Sequence, residues 1–530
     1  MLHLIAIVVK PLKDSSADST SSKYGKHWSR EEVRNAFRPS YSAIESVKSW
    51  LNTSGIPANE VQEFSYQGKL TFLASAGQAA SLFRSNFSHY YNSHSGSQAI
   101  GCEQYSLPSH LVRHIEFVTP TIGHELPSTP DNARRRSLEP RREAAAHQAR
   151  AITKSSNFST CYEAAFPECI AALYNITPFT GTPRPDNMMG IFNTYERDTN
   201  ESYSQADLNA FFTTFAPSIL NGTHPEHAPV DGGVVEVQDP KYEGSEAMLD
   251  YSVALPIIYP QKIKAFVTND GYEPTEYSNY PKNTGIQSFL DAIDADICKS
   301  NGAQKNATLD CGKYKPTNVL SFSYEAFEAE IGHKYAKRVC NEFMKLGLQG
   351  VTVLVASGDN NVGPEYSCGG ENLNVFIPEW LSTCPWVTSV GGTSISPDAN
   401  ILSSPQTAEI GWHETVTFGG GGGFSNYYKM PAYQKKAVEG YLNTTDLGFS
   451  SYSQFANSSG YTNLGSGTTG IFNRLGRAYP DVSGLSENIA VRIPPSTPLK
   501  IADLCRLSSS CKANRLCYPA HQPQHHSGAQ

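Results

Sequence analysis

The chain has 530 residues, of which 39% are hydrophobic and 17% charged, and its formal net charge is -8. That length accommodates two or more domains and a large core. No broad basic balance points to nucleic acid, and no run of 18 apolar residues points to a membrane span.

The chain opens on a short, β-branched apolar run within Met1–Lys10 that reads as a strand. It has no basic leading region and no small-residue cleavage site, so no signal peptide is expected there. Residues 1–125 read as a small α/β unit. Ser29 and Glu32, and again Ser42 and Glu45, have the spacing of capping boxes. The second is expected to open a helix through Ile44, Val47 and Leu51 that closes at Gly55. Short strands are expected near Glu63–Tyr66 and Leu70–Leu73, and another short element at Leu111–Phe117. Residues 126–157 are a Pro-, Ser- and Ala-rich linker carrying Arg134-Arg135-Arg136 and Arg141-Arg142. An exposed basic linker is where processing proteases cut, although basic runs are more often merely solvated.

From residue 158 onward, strands and helices alternate. Ile263–Thr268, Val319–Tyr324, Val351–Ala356 and Thr383–Val390 read as strands, the last broken at Gly391-Gly392. Ala329–Leu346 reads as a helix stopped by Gly347. Strand, helix and strand at these lengths predict a right-handed crossover and a mostly parallel sheet.

Eleven cysteines are scattered with no zinc spacing, so no metal site is expected. Cys161/Cys169 and Cys298/Cys311 are close enough in sequence for short-loop disulfides, and the odd number leaves at least one thiol without a partner inside the chain. Sequons begin at Asn52, Asn86, Asn157, Asn175, Asn200, Asn221, Asn306, Asn443 and Asn457. That many along one chain favours the secretory pathway and an extracellular location.

Chemistry concentrates at Ser245-Glu246-Ala247-Met248-Leu249-Asp250. On a helix, Glu246 and Asp250 stand one turn apart on one face. Ser245 is placed to cap it, and Pro256 to stop it. Two carboxyls held close share a proton and one pKa rises, which suits a general base that works in acid. Most such pairs are simply a solvated helix face. Asp359 follows the strand Val351–Ala356 through Ser357-Gly358, at the carboxyl end where open parallel sheets place their sites; alone, such a turn aspartate is common. Gly419–Gly423, followed by Phe424-Ser425, is either a flexible loop or a backbone that approaches an extended ligand. It lacks the Lys-Ser/Thr of a phosphate loop.

These motifs, in this order, resemble a fungal sedolisin, of the serine-carboxyl peptidase family that includes tripeptidyl-peptidases and aorsin-like enzymes. The similarity covers most of the chain. It runs through Tyr24-Gly25-Lys26-His27-Trp28 and His114–Pro120 to Cys169-Ile170, Glu246 with Asp250, and Ser323-Tyr324. It continues through Ser357-Gly358-Asp359, Cys384–Thr393, Gly422-Gly423-Phe424-Ser425 and Tyr479-Pro480-Asp481-Val482. The resemblance implies a subtilisin-like domain with a mostly parallel sheet, behind a ferredoxin-like α/β propeptide. It implies Glu246 as general base, Asp250 as its orienting partner and Asp359 as a protonated oxyanion donor. Ser323, Gly421, Gly422 and Gly423 would line the substrate cleft. A carboxylate base stays active where an imidazole of pKa ~6.5 is protonated. Peptides or proteins, and the chain's own propeptide, are the implied partners.

The resemblance stops after Val491. The family's Gly-Thr-Ser-Ala-Ser nucleophile segment does not follow, and residues 492–530 read as an aberrant, disordered tail. Ser394 lies in a structural segment of the family, and Ser496, Ser508, Ser509 and Ser510 have no supporting turn, so none is assigned as nucleophile. The peptidase domain, residues 158–491, is therefore expected to be incomplete. The family's C-terminal calcium site would be absent, no cofactor is expected, and Cys368 would lose its partner. The expected function is a secreted acid-acting peptidase zymogen with an incomplete catalytic set. The alternative is an inactive relative that binds peptides or inhibits an active one.

Overall fold

The computed structural model describes residues 2–7, 21–64, 68–91, 98–119, 121, 158–196, 199–269, 285–294, 310–324, 326–363, 368–369, 374–396, 400–402, 409–411, 419–456, 461, 464, 471–492 and 500–502. The basic linker 126–157, Cys298, Asn157, Asn306, Asn457 and the serines at 496 and 508–510 lie outside the described residues.

The N-terminal unit contains strands β1 (Leu2–Ile7), β2 (Gln62–Phe64), β3 (Lys69–Ala74), β4 (Ser88–Tyr91), β5 (Gln98–Gly101) and β6 (Phe117–Thr119). Its helices are α1 (Arg30–Phe37), α2 (Tyr41–Thr53) and α3 (Ala76–Phe83). The sheet runs β2-β3-β1-β6, every pair antiparallel, and β4 and β5 form a separate hairpin. Ile44, Val47 and Leu51 of α2 are buried with Leu70, Phe72 and Phe83. The Ser29–Glu32 capping box forms as the spacing predicts. The second cap is Ser40, whose hydroxyl accepts from the Ala43 N–H, so Ser42 and Glu45 lie inside the helix.

The second unit is built on the parallel strands β7 (Met189–Glu196), β9 (Glu226–Val230), β10 (Ile263–Asn269), β11 (Val319–Phe322), β13 (Thr352–Ala356) and β15 (Thr388–Ile395). The order is β16-β15-β13-β11-β7-β10-β9, with β16 (Glu409–Gly411) antiparallel at the edge. The short β8 (Thr199–Asn200) folds back on β7, and β21 (Val482–Leu485) runs parallel to β15. Side chains alternate across this sheet. Phe192 and Phe266 face Phe289 of α7 (Ile286–Ile293) and Phe343 of α8 (His333–Leu348). Ile191, Ala265 and Val267 face the opposite layer. That layer holds α4 (Pro167–Leu173), α5 (Gln205–Phe215) and α6 (Ser245–Ile258), with Cys169, Phe211, Phe215, Met248 and Tyr251 buried. Helices therefore cover both faces, as a parallel sheet requires.

Shorter pairs complete the unit: β12 (Ala326–Phe327) with β14 (Glu379–Trp380), β17 (Gly423–Lys429) with β20 (Gly476–Tyr479), β18 (Ser450–Tyr452) with β19 (Ile471–Asn473). Strand β22 (Ile489–Val491) pairs with β23 (Lys500–Ala502), and Arg492 binds Asp207 at 2.6 Å. A last helix, α9, spans Lys435–Thr444. The N-terminal unit meets the second through Arg30 and Asp294 at 2.7 Å, the Trp28 N–H on the Leu348 carbonyl, and Lys334 on the Glu116 carbonyl.

Several boundaries differ from the sequence reading. Pro256 lies inside α6, because its final turn is held against the core through Leu255, Ile257 and Ile258; packing outweighs the missing N–H. The cap of α6 is Gly244, and Ser245 is the first helical residue. Residues 328–330 form a 3-10 turn, because the buried Glu328 carboxylate is taken by Ser425, the Asn426 N–H and Tyr461. Helix α8 therefore starts at His333, runs through Gly347, and is followed by Gly350 at φ +88°. Strand β15 continues through Gly391, where a Cβ would lie 2.7 Å from Pro480 beside the neighbouring β21. The Cys161–Cys169 disulfide forms, and Cys340–Cys384 is a second one that the spacing did not suggest. Cys368 is disulfide-bonded, contrary to the expectation that it loses its partner. Cys102 is a buried free thiol.

Phe192 sits at the centre of the sheet, fully buried, with the Phe289, Phe322 and Tyr324 rings 4.9–5.8 Å away. Phe192→Ala is expected to cost about 3–5 kcal/mol of stability, read from the shift of a urea unfolding curve.

Candidate active site

The carboxyl ends of β7, β11 and β13 lie side by side. Strand spacing puts the exits of β7 and β13 roughly 10 Å apart, with β11 between them. Ser323 and Tyr324 leave β11 at this edge, and Ser357-Gly358-Asp359 leave β13. Asn193, two residues beyond Ile191 on β7, faces the α6 layer by the same alternation.

Helix α6 presents Glu246 in its first turn and Asp250 one turn on, as the spacing predicts; both are half-buried rather than in bulk solvent. Asn193 Nδ2 donates to Asp250 Oδ2 at 3.2 Å, while the Tyr251 hydroxyl donates to Asn193 Oδ1 at 2.8 Å. The amide is thus locked in one orientation. Burial raises the Asp250 carboxyl to about 7; Asn193 and Ser323 pull against the rise by hydrogen bonding, and the Glu201 charge adds to it. Ser323, read as a cleft residue, is therefore a hydrogen-bond partner of Asp250.

Glu201 is a site residue that sequence reasoning missed. It follows the short return strand β8, and no spacing motif marks it. Its carboxylate accepts from the Ala247 N–H at 3.2 Å, at the positive end of α6. Tyr324 ties the group together. Burial pushes its phenol well above the ordinary value, and the charges of Glu201, Glu246 and Asp250 all push the same way. Three carboxyls thus act on one phenol, and neighbouring carboxyls compete for protons. Such a cluster can hold a proton on one carboxyl while another accepts one.

Asp359 stands exposed at the same edge. Its turn is zipped to the glycine run: Gly419 N–H donates to the Asp359 carbonyl at 3.0 Å and Gly421 N–H to the Gly358 carbonyl at 2.6 Å. A Cβ on Gly421 would lie 1.8 Å from the Ser357 carbonyl oxygen. The close approach expected of this run is therefore made to the chain's own turn. Gly422 N–H donates to the Asn361 carbonyl, and Gly423 begins β17.

Among the described residues, no group of three or more His, Cys, Asp or Glu side chains is arranged to hold a metal ion, and none of their helices is long and apolar enough to cross a membrane.

The description "Pro-kumamolisin, activation domain" matches residues 11–123. Aorsin of Aspergillus oryzae is 36% identical over 507 residues, covering 90% of this chain and 74% of aorsin. Tripeptidyl-peptidase sed1 of Aspergillus fumigatus is 37% identical over 500 residues, with the same coverage of 90% and 74%. Among solved structures, Pseudomonas sedolisin complexed with pseudo-iodotyrostatin aligns at 15% identity and a TM-score of 0.40, over 65% of this chain and 77% of that one. The α/β architecture above rests on the strand order rather than on that likeness.

Asp250 also gives the site a pH signature. Its folded value of about 7 exceeds the ordinary 3.8, so the native state keeps a proton that the unfolded chain releases between those values. Its contribution to stability is complete at low pH and fades as pH rises through that window. Asp250→Asn, which mimics the neutral form, is expected to lose fewer degrees of Tm between pH 4 and pH 7 than the unmodified chain, read by scanning calorimetry.

Proposed function

This chain belongs to the sedolisin family of serine-carboxyl peptidases, and from that premise we propose that it is a secreted peptidase zymogen acting on peptide bonds in acid. The observation that carries the proposal is the Asp250 carboxyl held by Asn193 one helical turn from Glu246, on the helix whose first-turn Ala247 N–H is taken by Glu201. Glu246 is the general base, Asp250 shares its proton and orients it, and Asp359 donates a hydrogen bond to the developing oxyanion. The base takes the proton of an attacking hydroxyl, an acyl-enzyme forms, and water then releases it. Residues 1–125 act as an activation domain. Their β2-β3-β1-β6 order, with helices between β1 and β2 and between β3 and β6, supports a ferredoxin-like arrangement. The central parallel sheet supports a subtilisin-like one. Exposed sequons at Asn52, Asn86, Asn175, Asn221 and Asn443 suit a glycosylated, exported chain.

The nucleophile is unassigned, because residues 492–530 contain no Gly-Thr-Ser-Ala-Ser. That observation favours the second reading, a relative that binds peptides without cutting them. The two part on one experiment: the full chain, nicked in the linker, is incubated with a quenched fluorescent peptide at about pH 4 and pH 7. Turnover at the lower pH that Glu246→Gln reduces by ~100-fold or more establishes the peptidase. Peptide binding that saturates without product establishes the second reading.

A further inference from the structure

Glu379, on β14, is 3% exposed, so its carboxylate needs hydrogen-bond partners. The partners flank Asp359. The backbone N–H and the Nδ2 of Asn360 both donate to Glu379 Oε1, at 3.2 and 2.7 Å. On the other side, the carboxylate lies against Gly358: a Cβ there would sit 1.3 Å from Glu379 Oε2. Gly358 has φ +91°, in the left-handed region that favours glycine. The turn carrying Asp359 is therefore braced by Glu379, while the glycine run is bonded to its carbonyls.

Glu379 is itself anchored. Its N–H donates to the Tyr479 hydroxyl at 2.9 Å, within the Tyr-Pro-Asp-Val segment. Its strand pairs Phe327 with Glu379 and Ala326 with Trp380. Those partners follow Ser323-Tyr324 closely in sequence. One short strand pair thus links the turn of Asp359 to the segment that touches Asp250.

We propose that Glu379 is the positioning residue for Asp359: by gripping Asn360 and filling the space beside Gly358, it sets where the Asp359 carboxyl points in the cleft. The proposal deepens the peptide-site reading and rests on it for the role of Asp359. Glu379 acts through the turn; contact with substrate is left to Asp359.

The test uses the full chain, with amide exchange followed by mass spectrometry and with the affinity of an end-capped, fluorescein-tagged hexapeptide at pH 4. Glu379→Ala is expected to speed exchange across residues 358–361 and 419–422 and to weaken the peptide by about ten-fold, the scale of one lost hydrogen bond. Glu379→Gln keeps the Oε1 acceptor and is expected to restore both. In an Asp359→Ala background, Glu379→Ala is expected to cost no further affinity, because the two act as one unit. If Glu379→Ala fails to fold, Asn360→Ala removes the 2.7 Å partner and carries the same expectation. Unchanged exchange, or losses that add across the two positions, overturns the proposal. Faster exchange in an unmodified background that binds no peptide leaves the bracing of the turn supported and overturns the peptide-site reading instead.

Discussion

The site depends on one constraint: a carboxyl group is held half out of water and given neutral hydrogen-bond donors. Asp250 meets Asn193 and Ser323, and the charge that it feels from Glu201 opposes its ionisation. An arginine or lysine here would have held the carboxyl ionised to low pH; amide and hydroxyl donors only moderate the cost of burial. Asn193 can serve because Tyr251 fixes its other end, and Tyr251 can do so because it sits on α6 immediately after Asp250. The helix, the strand and the carboxyl therefore position one another. Glu201 adds the remaining element, placing a carboxylate on the first-turn N–H of Ala247, where the helix end favours negative charge.

Part of this was legible in the sequence. Period and spacing placed Glu246 and Asp250 on one helical face, and the buried run before Ser357 placed Asp359 at a strand's exit. The short disulfide Cys161–Cys169 followed from its separation of eight residues. Asn193, Glu201 and Glu379 were not legible, because Asn193 acts on residues 57 and 58 positions away, Glu201 on one 46 positions away, and Glu379 on residues 19 and 100 positions away. Nothing local distinguishes such a side chain from any other polar one in a strand or turn. The boundary errors have the same origin. Pro256 and Gly347 are strong local stop signals, yet the core holds helix on both sides of each. Gly391 and Gly392 read as a break, but the neighbouring β21 comes so close at Gly391 that only glycine fits there within a continuous strand. Glu328 worked in the opposite sense: a residue with good helix propensity was drawn into a 3-10 turn by its bonds to Ser425, Asn426 and Tyr461.

Buried carboxyls elsewhere divide by their neighbours: burial works against the charge of Glu342, but Arg338 and Lys345 hold it below its ordinary value. Burial raises Glu328 to about 7, although Ser425, the Asn426 N–H and Tyr461 all pull it down. Burial, with the Asp207 charge beside it, raises Glu243 to about 9, close to the start of α6. Burial lowers His333 to about 4, aided by Lys337 and Lys334. The signs differ. The raised carboxyls bind protons that the unfolded chain would release, so they favour the native state as pH falls; the lowered histidine refuses a proton that the unfolded chain would take, so it opposes the native state between about 6.5 and 4. Between about 4 and 7 all four groups, Asp250 included, are predominantly neutral inside the fold. Three raised carboxyls set against one lowered histidine make these groups, taken together, favour the native state as pH falls. Asp250 on α6 and Glu328 beneath β17 thus share one cause and one direction: burial raises each, and neutral hydrogen-bond donors only moderate the rise.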